Sequence, residues 1–533
     1  MNKRTFIYRM GMALIAAVLF TACQDKFLEE DFKAGYSGDA IIDDAGFRAA
    51  IAGLQTTFRN NDYSSVQGGL ASLAVGTDIA VGGQIVGAYM SGFQDYKQLI
   101  PQDASAKFHW TWCYKIINLS NNIIQAANGP AVTLTTAQKA LYIAEASFYR
   151  GYAYNFLSIL FGGVPVLTAP VTAPKTDYVR ATKAEVLRLI ISDLKYASEN
   201  LPDISKVASQ GRINQAAALQ LLAEAYLRAG KGDSAEIATK AIIGSNLFSL
   251  VKARYGINKD KPGDPFYDMF VYGNQRRSQG NTEAIWVVEQ QYNVNGGGLP
   301  ADNTGDQHRR EWVPFYVNVS GMLVADSLGG RGIGRIRPTN WWVYQLYEPN
   351  DMRNSPYNLR RNYYYNNPAN ARYGQRVVLT GNLDTTQNAY AHNTKWYYSD
   401  PSDVLVTNTY KDRIMMRLAE TYLLQAEAQL MQNKTDDAAI SINEVRTRAN
   451  VAGVSGAQVT LDFILDERAR ELTGEENRRL TLARTETLVA RTKKYNPVAG
   501  PTIMDHNNLL PIPQSEIDLN KDAKLEQNPD YIK

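Results

Sequence analysis

The alternation of apolar and polar positions is most regular between Ala216 and Ile242, AAALQLLAEAYLRAGKGDSAEIATKAI. Leu219, Leu222, Ala223, Tyr226 and Leu227 recur at three- and four-residue spacing, which gathers them on one face of a helix. Gly230 supplies the residue that accepts a left-handed stop, and a second helix is predicted from Ser234. Small Ala223 is followed by small Ala235 twelve positions on, so the two helices can approach closely while Tyr226 fills the space between them. One hairpin of this kind leaves an apolar face uncovered and needs neighbours.

The chain supplies them. Arg417 to Asn450 repeats the arrangement, with Ala426-Glu427-Ala428 matching Ala223-Glu224-Ala225 and Ala438 twelve residues after Ala426. A third Ala-Glu-Ala core, Ala144 to Ala146, opens the helical run from Leu141 to Pro165. The spacing of small residues is that of tetratricopeptide hairpins. The copies are unevenly spaced, so a large segment is inserted before the last one.

Further helices are predicted around this frame. Phe47, Ile51, Leu54 and Phe58 form one stripe over 43–60, capped by Asp43 or Asp44. Trp110, Tyr114, Ile117, Asn121 and Ile124 line a helix that resumes near Phe108, and its partner runs from about Thr136 to Phe161. Thr182 with Glu185 three residues later is a capping box. A charged helix is expected from Leu461 to Arg484, with Glu475 and Arg479 paired on a solvated face. The tail carries three prolines between Leu509 and Tyr531 and should wrap the scaffold.

Two segments break the helical period. Residues 61–106 are rich in Gly, Ser and Gln and read as loops. Residues 248–409 combine Gly, Asn and Pro with many rings and two short strand-like runs, Ala284 to Val288 and Arg376 to Leu379. The fold class is therefore mostly α, a tetratricopeptide-like hairpin scaffold with a large irregular, loop-rich insertion containing short strands. The chain divides into a leader at 1–22, a tether at 23–40, a helical scaffold at 41–247, the insertion at 248–409, and a C-terminal hairpin, charged helix and tail at 410–533.

The leader changes the charge balance. Lys3, Arg4 and Arg9 precede an apolar run from Met10 to Phe20 that is too short for a permanent membrane span and reads as a secretion signal. Thr21-Ala22-Cys23 is similar to the lipidation box of bacterial lipoproteins, with Cys23 as the lipidated residue. Removing the three leader cations from 56 basic residues leaves 53 against 53 acidic ones. A neutral mature chain carries no footprint for nucleic acid. Cys113 is then the one remaining thiol, and no intrachain disulfide can form.

Catalytic and metal motifs are missing. The four His, at 109, 308, 392 and 506, are far apart and form no metal-binding pair, and no Gly-x-Ser-x-Gly elbow occurs. Gly330-Arg331-Gly332-Ile333-Gly334 lacks the strand and helix of a phosphate cradle and reads as a flexible loop. Asn258 to Gly263 imitates a calcium loop at three places, but Pro262 and Met269 occupy positions that need ligands. Structural calcium is not indicated, and no cofactor is expected.

Several separated blocks resemble the SusD/RagB family of surface lipoproteins, nearly end to end. They are the start at Cys23, Phe148 to Tyr154 leading to Phe161-Gly162-Gly163-Val164-Pro165, Gly211-Arg212-Ile213-Asn214, and Arg417-Leu418-Ala419-Glu420. The most specific block is C-terminal: Ile464 to Arg468, Glu471-Leu472, Glu476, Arg478-Arg479, Leu510 to Pro513 and Gln527-Asn528-Pro529. The resemblance implies a protein anchored by lipid to the outside of the outer membrane. It also implies that the protein caps a SusC-like TonB-dependent transporter and captures an oligosaccharide, or in some members a peptide, without catalysis.

A sugar offers apolar C–H faces between hydroxyl rims, which rings can stack against and polar side chains can bind. Relatives build the site from the loops after a Thr-Asp pair, matched here by Thr77-Asp78, and from loops in the insertion. The candidate rings are Tyr89, Phe93 and Tyr96 from the first segment and Tyr292, Trp312, Tyr316 and Trp341 from the second, with Asp78, Gln94 and Arg310 as polar partners. The alternatives are a peptide receptor, a surface glycan-degrading enzyme and a structural lid with no ligand of its own.

Overall fold

A computed structural model describes residues 41–63, 67–207, 211–294, 305–378, 388–398 and 408–531, together with 298 and 405. The leader, Cys23 and the tether lie outside the described residues.

The helices form where the apolar period places them. Helix α1 (Asp44–Tyr63) buries Phe47, Ile51, Leu54 and Phe58, and the Asp43 carboxylate accepts from the Gly46 N–H at 2.9 Å. Helix α2 (Gly87–Gln94) is short, and α3 (Ala104–Ala127) starts four residues before Phe108 because the Asp103 carboxylate caps the N–H groups of Ser105 and Ala106. Helices α4 (Thr136–Phe161) and α5 (Lys183–Asn200) both open with a capping box, Thr135 with Gln138 and Thr182 with Glu185. Arg150 of α4 clasps Asp193 of α5 with two hydrogen bonds, at 2.8 and 2.7 Å.

The hairpin of α6 (Gln215–Arg228) and α7 (Gly232–Ile243) turns at Gly230, whose φ is +71°. Ala223, Leu227, Ala235 and Ala238 form one buried cluster with Leu424 and Ala428 of the next hairpin. The uncovered face of one repeat is therefore closed by the following one, although more than 160 residues of insertion separate them in sequence.

Strand β1 (Ala80–Gly82) and strand β2 (Ala284–Val288) precede helix α8 (His308–Trp312). Strand β3 (Ile336–Pro338) pairs with β1, the two-residue strands β4 (Leu359–Arg360) and β5 (His392–Asn393) pair with each other, and β6 (Arg413–Arg417) pairs with β2, all antiparallel. The second expected strand, from Arg376, is reduced to a single bridge with Tyr364, and Leu379 lies outside the described residues. Strand β2 is buried throughout, and its Trp286 packs against Phe58 of α1 and Phe148 of α4. A strand of the insertion thus belongs to the scaffold core.

Helices α9 (Leu418–Met431) and α10 (Thr435–Arg448) complete the last hairpin, with Ala426 and Ala438 both buried in their interface. The expected charged helix is two helices, α11 (Leu461–Leu472) and α12 (Arg478–Arg484), separated by Gly474 at φ +84° and followed by α13 (Leu488–Tyr495). Apart from exposed Asp462, most of its charges are turned inward. Arg417 donates to Glu283, Glu471 and Glu475 at 2.5–2.6 Å, while Arg353 bridges Asp351, Glu467 and Glu471. Arg479 does not pair with Glu475 but donates to the Ser72 and Val75 carbonyls, at 2.7 and 2.8 Å. Buried charge survives here because every carboxylate meets a guanidinium.

The tail wraps the end of α4. Leu510 N–H donates to Leu160 O, Asn528 donates to the carbonyls of Phe161 and Leu510, and Gln527 exchanges two hydrogen bonds with the Ile512 backbone.

Candidate functional site

The β1–β3 pair joins the two loop regions that the sequence sets aside for a ligand. Beyond the strands the pairing continues, with Gly83 N–H donating to Arg335 O at 2.9 Å and Gln84 N–H to Gly334 O at 2.7 Å. The chains are so close that a Cβ on Gly83 would stand 2.1 Å from the Gly334 oxygen. From this seam the first chain rises through exposed Ile85 into α2, where Tyr89 and Gln94 are half-buried.

The other side of the seam is basic. Arg335 donates to the Gln84 side chain at 3.0 Å, and Arg331 to the Leu405 carbonyl at 3.1 Å. Arg310, on α8, holds the Ile333 and Gly334 N–H groups on its own carbonyl, both at 3.0 Å. Its guanidinium Nε is buried and has no hydrogen-bond partner among the described residues. Burial, with the like charges of Arg331 and Arg335, lowers the Arg310 pKa to about 10.

The ten proposed contact residues divide into two groups. Tyr89, Gln94 and Arg310 are half-buried at or beside the seam, and Gln94 is fixed by accepting from Gly82 N–H at 2.7 Å. Tyr292 is exposed and meets Tyr410 edge-on. The other six are buried, and their side chains are used inside the protein. Asp78 is held by Arg478 and Arg491, and Phe93 lies under the Arg479 guanidinium. Tyr96 donates to Gly76 O, and Tyr316 donates to Gly330 O at 2.8 Å. Trp341 stacks on Tyr495 at 4.0 Å, and Trp312 belongs to the main core. In this arrangement none of these six offers a face to a ligand.

Sequence reading passed over Gln84, Ile85, Arg331 and Arg335. A signal was present: from Asp326 to Glu348 the chain contains Arg331, Arg335 and Arg337 and no acidic residue between the two ends. The Gly330–Gly334 segment is also not a loose loop, since Gly332 packs where a Cβ would stand 2.1 Å from Val313 O.

The interior holds carboxylates around a small cavity, tied together by arginine. A cavity of about 100 Å³ is lined by Glu224, Glu420, Glu475 and Glu476, well below the roughly 300–1,000 Å³ usual for ligand sites. Burial raises the Glu420 pKa despite Arg468, whereas at Glu476 burial is outweighed by Arg468 and Arg478, which hold it at about 2. Arg468 stands 2.7 Å from both carboxylates and bridges them. A larger hollow of about 280 Å³, lined by Trp110, Tyr114, Tyr178 and Glu516, contains none of the ten proposed residues.

No group of three or more His, Cys, Asp or Glu is placed to hold a metal among the described residues. In the segment that imitates a calcium loop, the Asn258 and Lys261 carbonyls accept from Arg254 at 2.7 and 2.9 Å. No helix among the described residues is long and apolar enough to cross a membrane.

Stacked hairpins with a polar, ring-bearing seam between two loop regions define a helical-repeat binding scaffold. The chain belongs to the SusD/RagB family. A model described as "SusD family" matches residues 282–531, and one described as "Starch-binding associating with outer membrane" matches residues 47–227. Among similar proteins, SusD-like protein P25 of Formosa agariphila is 24% identical over 93% of this chain and 94% of its own length. A SusD-like protein of Bacteroides ovatus is 25% identical over 85% of this chain and 78% of its own. Surface glycan-binding protein A from Bacteroides thetaiotaomicron, solved in complex with laminarihexaose, superposes with a TM-score of 0.71 at 19% identity, over 91% of this chain and 99% of its own.

Proposed function

We propose that this protein is a lipid-anchored receptor on the outer face of the outer membrane. It captures oligosaccharides and passes them to a SusC-like TonB-dependent transporter, without cleaving them. The observation that carries the reading is the β1–β3 seam. Gln84, Ile85 and Gln94 border that seam, Tyr89 follows on the next helix and Arg310 joins it through its carbonyl, a mixture of apolar and hydrogen-bonding groups that would suit a sugar's faces and hydroxyls. Family membership supports it, as does the likeness to a surface glycan-binding protein solved with laminarihexaose. Cys23 is the proposed lipid attachment site.

Calorimetric titration of the mature chain with neutral and charged oligosaccharides tests the binding, with extended hexapeptides as controls. Saturable sugar binding without cleavage is expected. Binding of peptides alone, or turnover of a sugar, contradicts the reading. Mass spectrometry should find lipid on Cys23, and an unmodified N-terminus would remove the anchor.

A further inference from the structure

The hollow of about 280 Å³ beside α3 is walled by three separate stretches of chain that are pinned to one another. Its floor is one side of α3, where Trp110, Tyr114 and Asn118 recur every four residues and Thr111 adjoins them. A second side is the irregular stretch from Pro165 to Tyr178, fixed to the floor because Tyr114 Oη donates to Pro165 O and Val171 N–H donates to Asn118 Oδ1, both at 2.8 Å. The tail forms the third. Asn520 exchanges two hydrogen bonds with the Tyr178 backbone, at 2.7 and 2.9 Å, and Gln514 N–H donates to Pro101 O, so the short helix Gln514–Leu519 is held with Glu516 against the hollow. All three stretches are described without a gap.

The lining combines rings with polar groups that the protein leaves unused. Trp110 is nearly buried and packs on Tyr114 at 5.0 Å, whereas Tyr114 and Tyr178 are half-buried. Burial above all, with the Glu516 charge among the smaller causes, raises the pKa of both phenols, so the three polar ends lie within electrostatic reach of one another. Among the described residues the Trp110 indole N–H, the Asn118 amide N–H groups and the Tyr178 hydroxyl make no hydrogen bond, and the Glu516 carboxylate meets only the Ser515 hydroxyl, at 3.5 Å, and no cation. Two cations come near and each is committed. Lys175 stands 5.5 Å from the Tyr178 ring centre and pairs with Asp177, while Arg180, within electrostatic reach of Tyr114, donates to the carbonyls of Phe161, Gly163 and Glu526 and to the Asn528 side chain.

This set of groups selects a ligand class. Glu516 repels an anion, and Lys175 and Arg180 repel a cation. A neutral ligand is left, and it must both accept, from Trp110 and Asn118, and donate, to Glu516. Water can serve these groups one at a time, but a hydroxylated ring serves several together and also covers the apolar wall. The volume lies just below the roughly 300–1,000 Å³ of drug-sized sites, which suits one pyranose ring and not a longer chain.

We propose that this hollow is a second binding site, taking one neutral pyranose ring, with Tyr114 and Tyr178 against its C–H face, Glu516 accepting from its hydroxyls, and Trp110 and Asn118 donating to them. The site contains none of the ten residues expected from sequence and does not depend on the seam.

The test is saturation-transfer NMR on the mature chain with four neutral disaccharides, laminaribiose, cellobiose, maltose and lactose, and with glucosamine and glucuronate as the charged comparisons. At least one neutral probe should bind saturably with a Kd of about 1–10 mM, and should do so equally in the seam variant Gln84→Ala with Tyr89→Ala. In that background, Tyr178→Ala with Glu516→Ala should weaken binding about tenfold or more and leave the melting temperature unchanged. Should that variant melt early, Thr111→Trp, at an exposed position beside the hollow, fills the space instead and should have the same effect. Binding that survives in the folded hollow variant overturns the site. Preference for glucosamine or glucuronate over every neutral probe overturns the ligand class. Binding to the wild-type chain that vanishes in the seam variant overturns the inference and leaves the receptor reading standing, and binding by none of the probes overturns the inference as well.

Discussion

Arg478 donates to both carboxylate oxygens of Asp78, at 2.9 and 2.6 Å, across 400 positions of sequence, and both side chains are fully buried. Arg491 adds a third hydrogen bond to the same carboxylate at 2.7 Å. The carboxylate expected to meet a ligand instead ties the first loop region to the C-terminal block. Asp78→Ala leaves two guanidiniums buried without their partner and should cost about 3–5 kcal/mol of stability. Chemical denaturation checks this, and a loss below about 1 kcal/mol contradicts the role.

Acid should destabilise the protein in two stages. Burial, with Arg479 near one ring and Arg360 near the other, lowers the pKa of His109 and His392 to about 3. Both are neutral when folded and take up protons when unfolded, so stability is full above the ordinary histidine value of about 6.5 and declines below it, by about 1.4 kcal/mol per pH unit for each ring. The second stage is carboxylate. Burial raises Asp78 and Glu476, but their arginines outweigh it and hold both below the usual range, Glu476 at about 2. Their contribution is present above about pH 4 and is lost as pH falls towards 2. Denaturation midpoints from pH 8 to 3 should show the first decline near 6.5, and His109→Gln should flatten it.

The hairpin interface is specified by small residues. Ala223 is fully buried against Ala235, Leu424 and Ala428, so Ala223→Leu should destabilise by about 1–3 kcal/mol through overpacking. A neutral or stabilising result in thermal unfolding contradicts the close approach.

Much of the scaffold was legible because helices advertise themselves by period and caps. Thr182 with Glu185 and the turn at Gly230 lie where local sequence alone requires them, while the equivalent box of Thr135 with Gln138 was not read. The C-terminal charges were misread for an equally physical reason. Glu475 and Arg479 satisfy the spacing of a surface pair, and nothing local reveals that Arg417 and Lys395 wait for Glu475 while the Ser72 and Val75 carbonyls wait for Arg479. Strand β6 was missed because its partner β2 lies more than 120 residues earlier. The candidate rings show the same limit: Phe93 and Tyr316 stand in glycine-rich or loop sequence as platforms would, yet each is enclosed by neighbours brought from elsewhere. The arginine run around Arg335 was visible but was discounted as a loop.

Gly83 is where the seam can be broken with least disturbance to the frame. Gly83→Ala places a methyl group against the Gly334 carbonyl and must part the two chains. Oligosaccharide affinity should fall about tenfold or more, while hydrogen exchange in α6, α7 and α9 stays at the wild-type rate. Unchanged affinity contradicts the seam as the binding surface.

The measurement that bears most directly on the central claim pairs two readouts, oligosaccharide affinity by calorimetry and melting temperature, on Gln84→Ala with Tyr89→Ala and, separately, on Phe93→Ala. The account predicts that the seam variant loses binding and melts within a few degrees of wild type, whereas Phe93→Ala lowers stability by about 3–5 kcal/mol. A seam variant that binds sugar as tightly as wild type, or a wild-type chain that binds none, contradicts it.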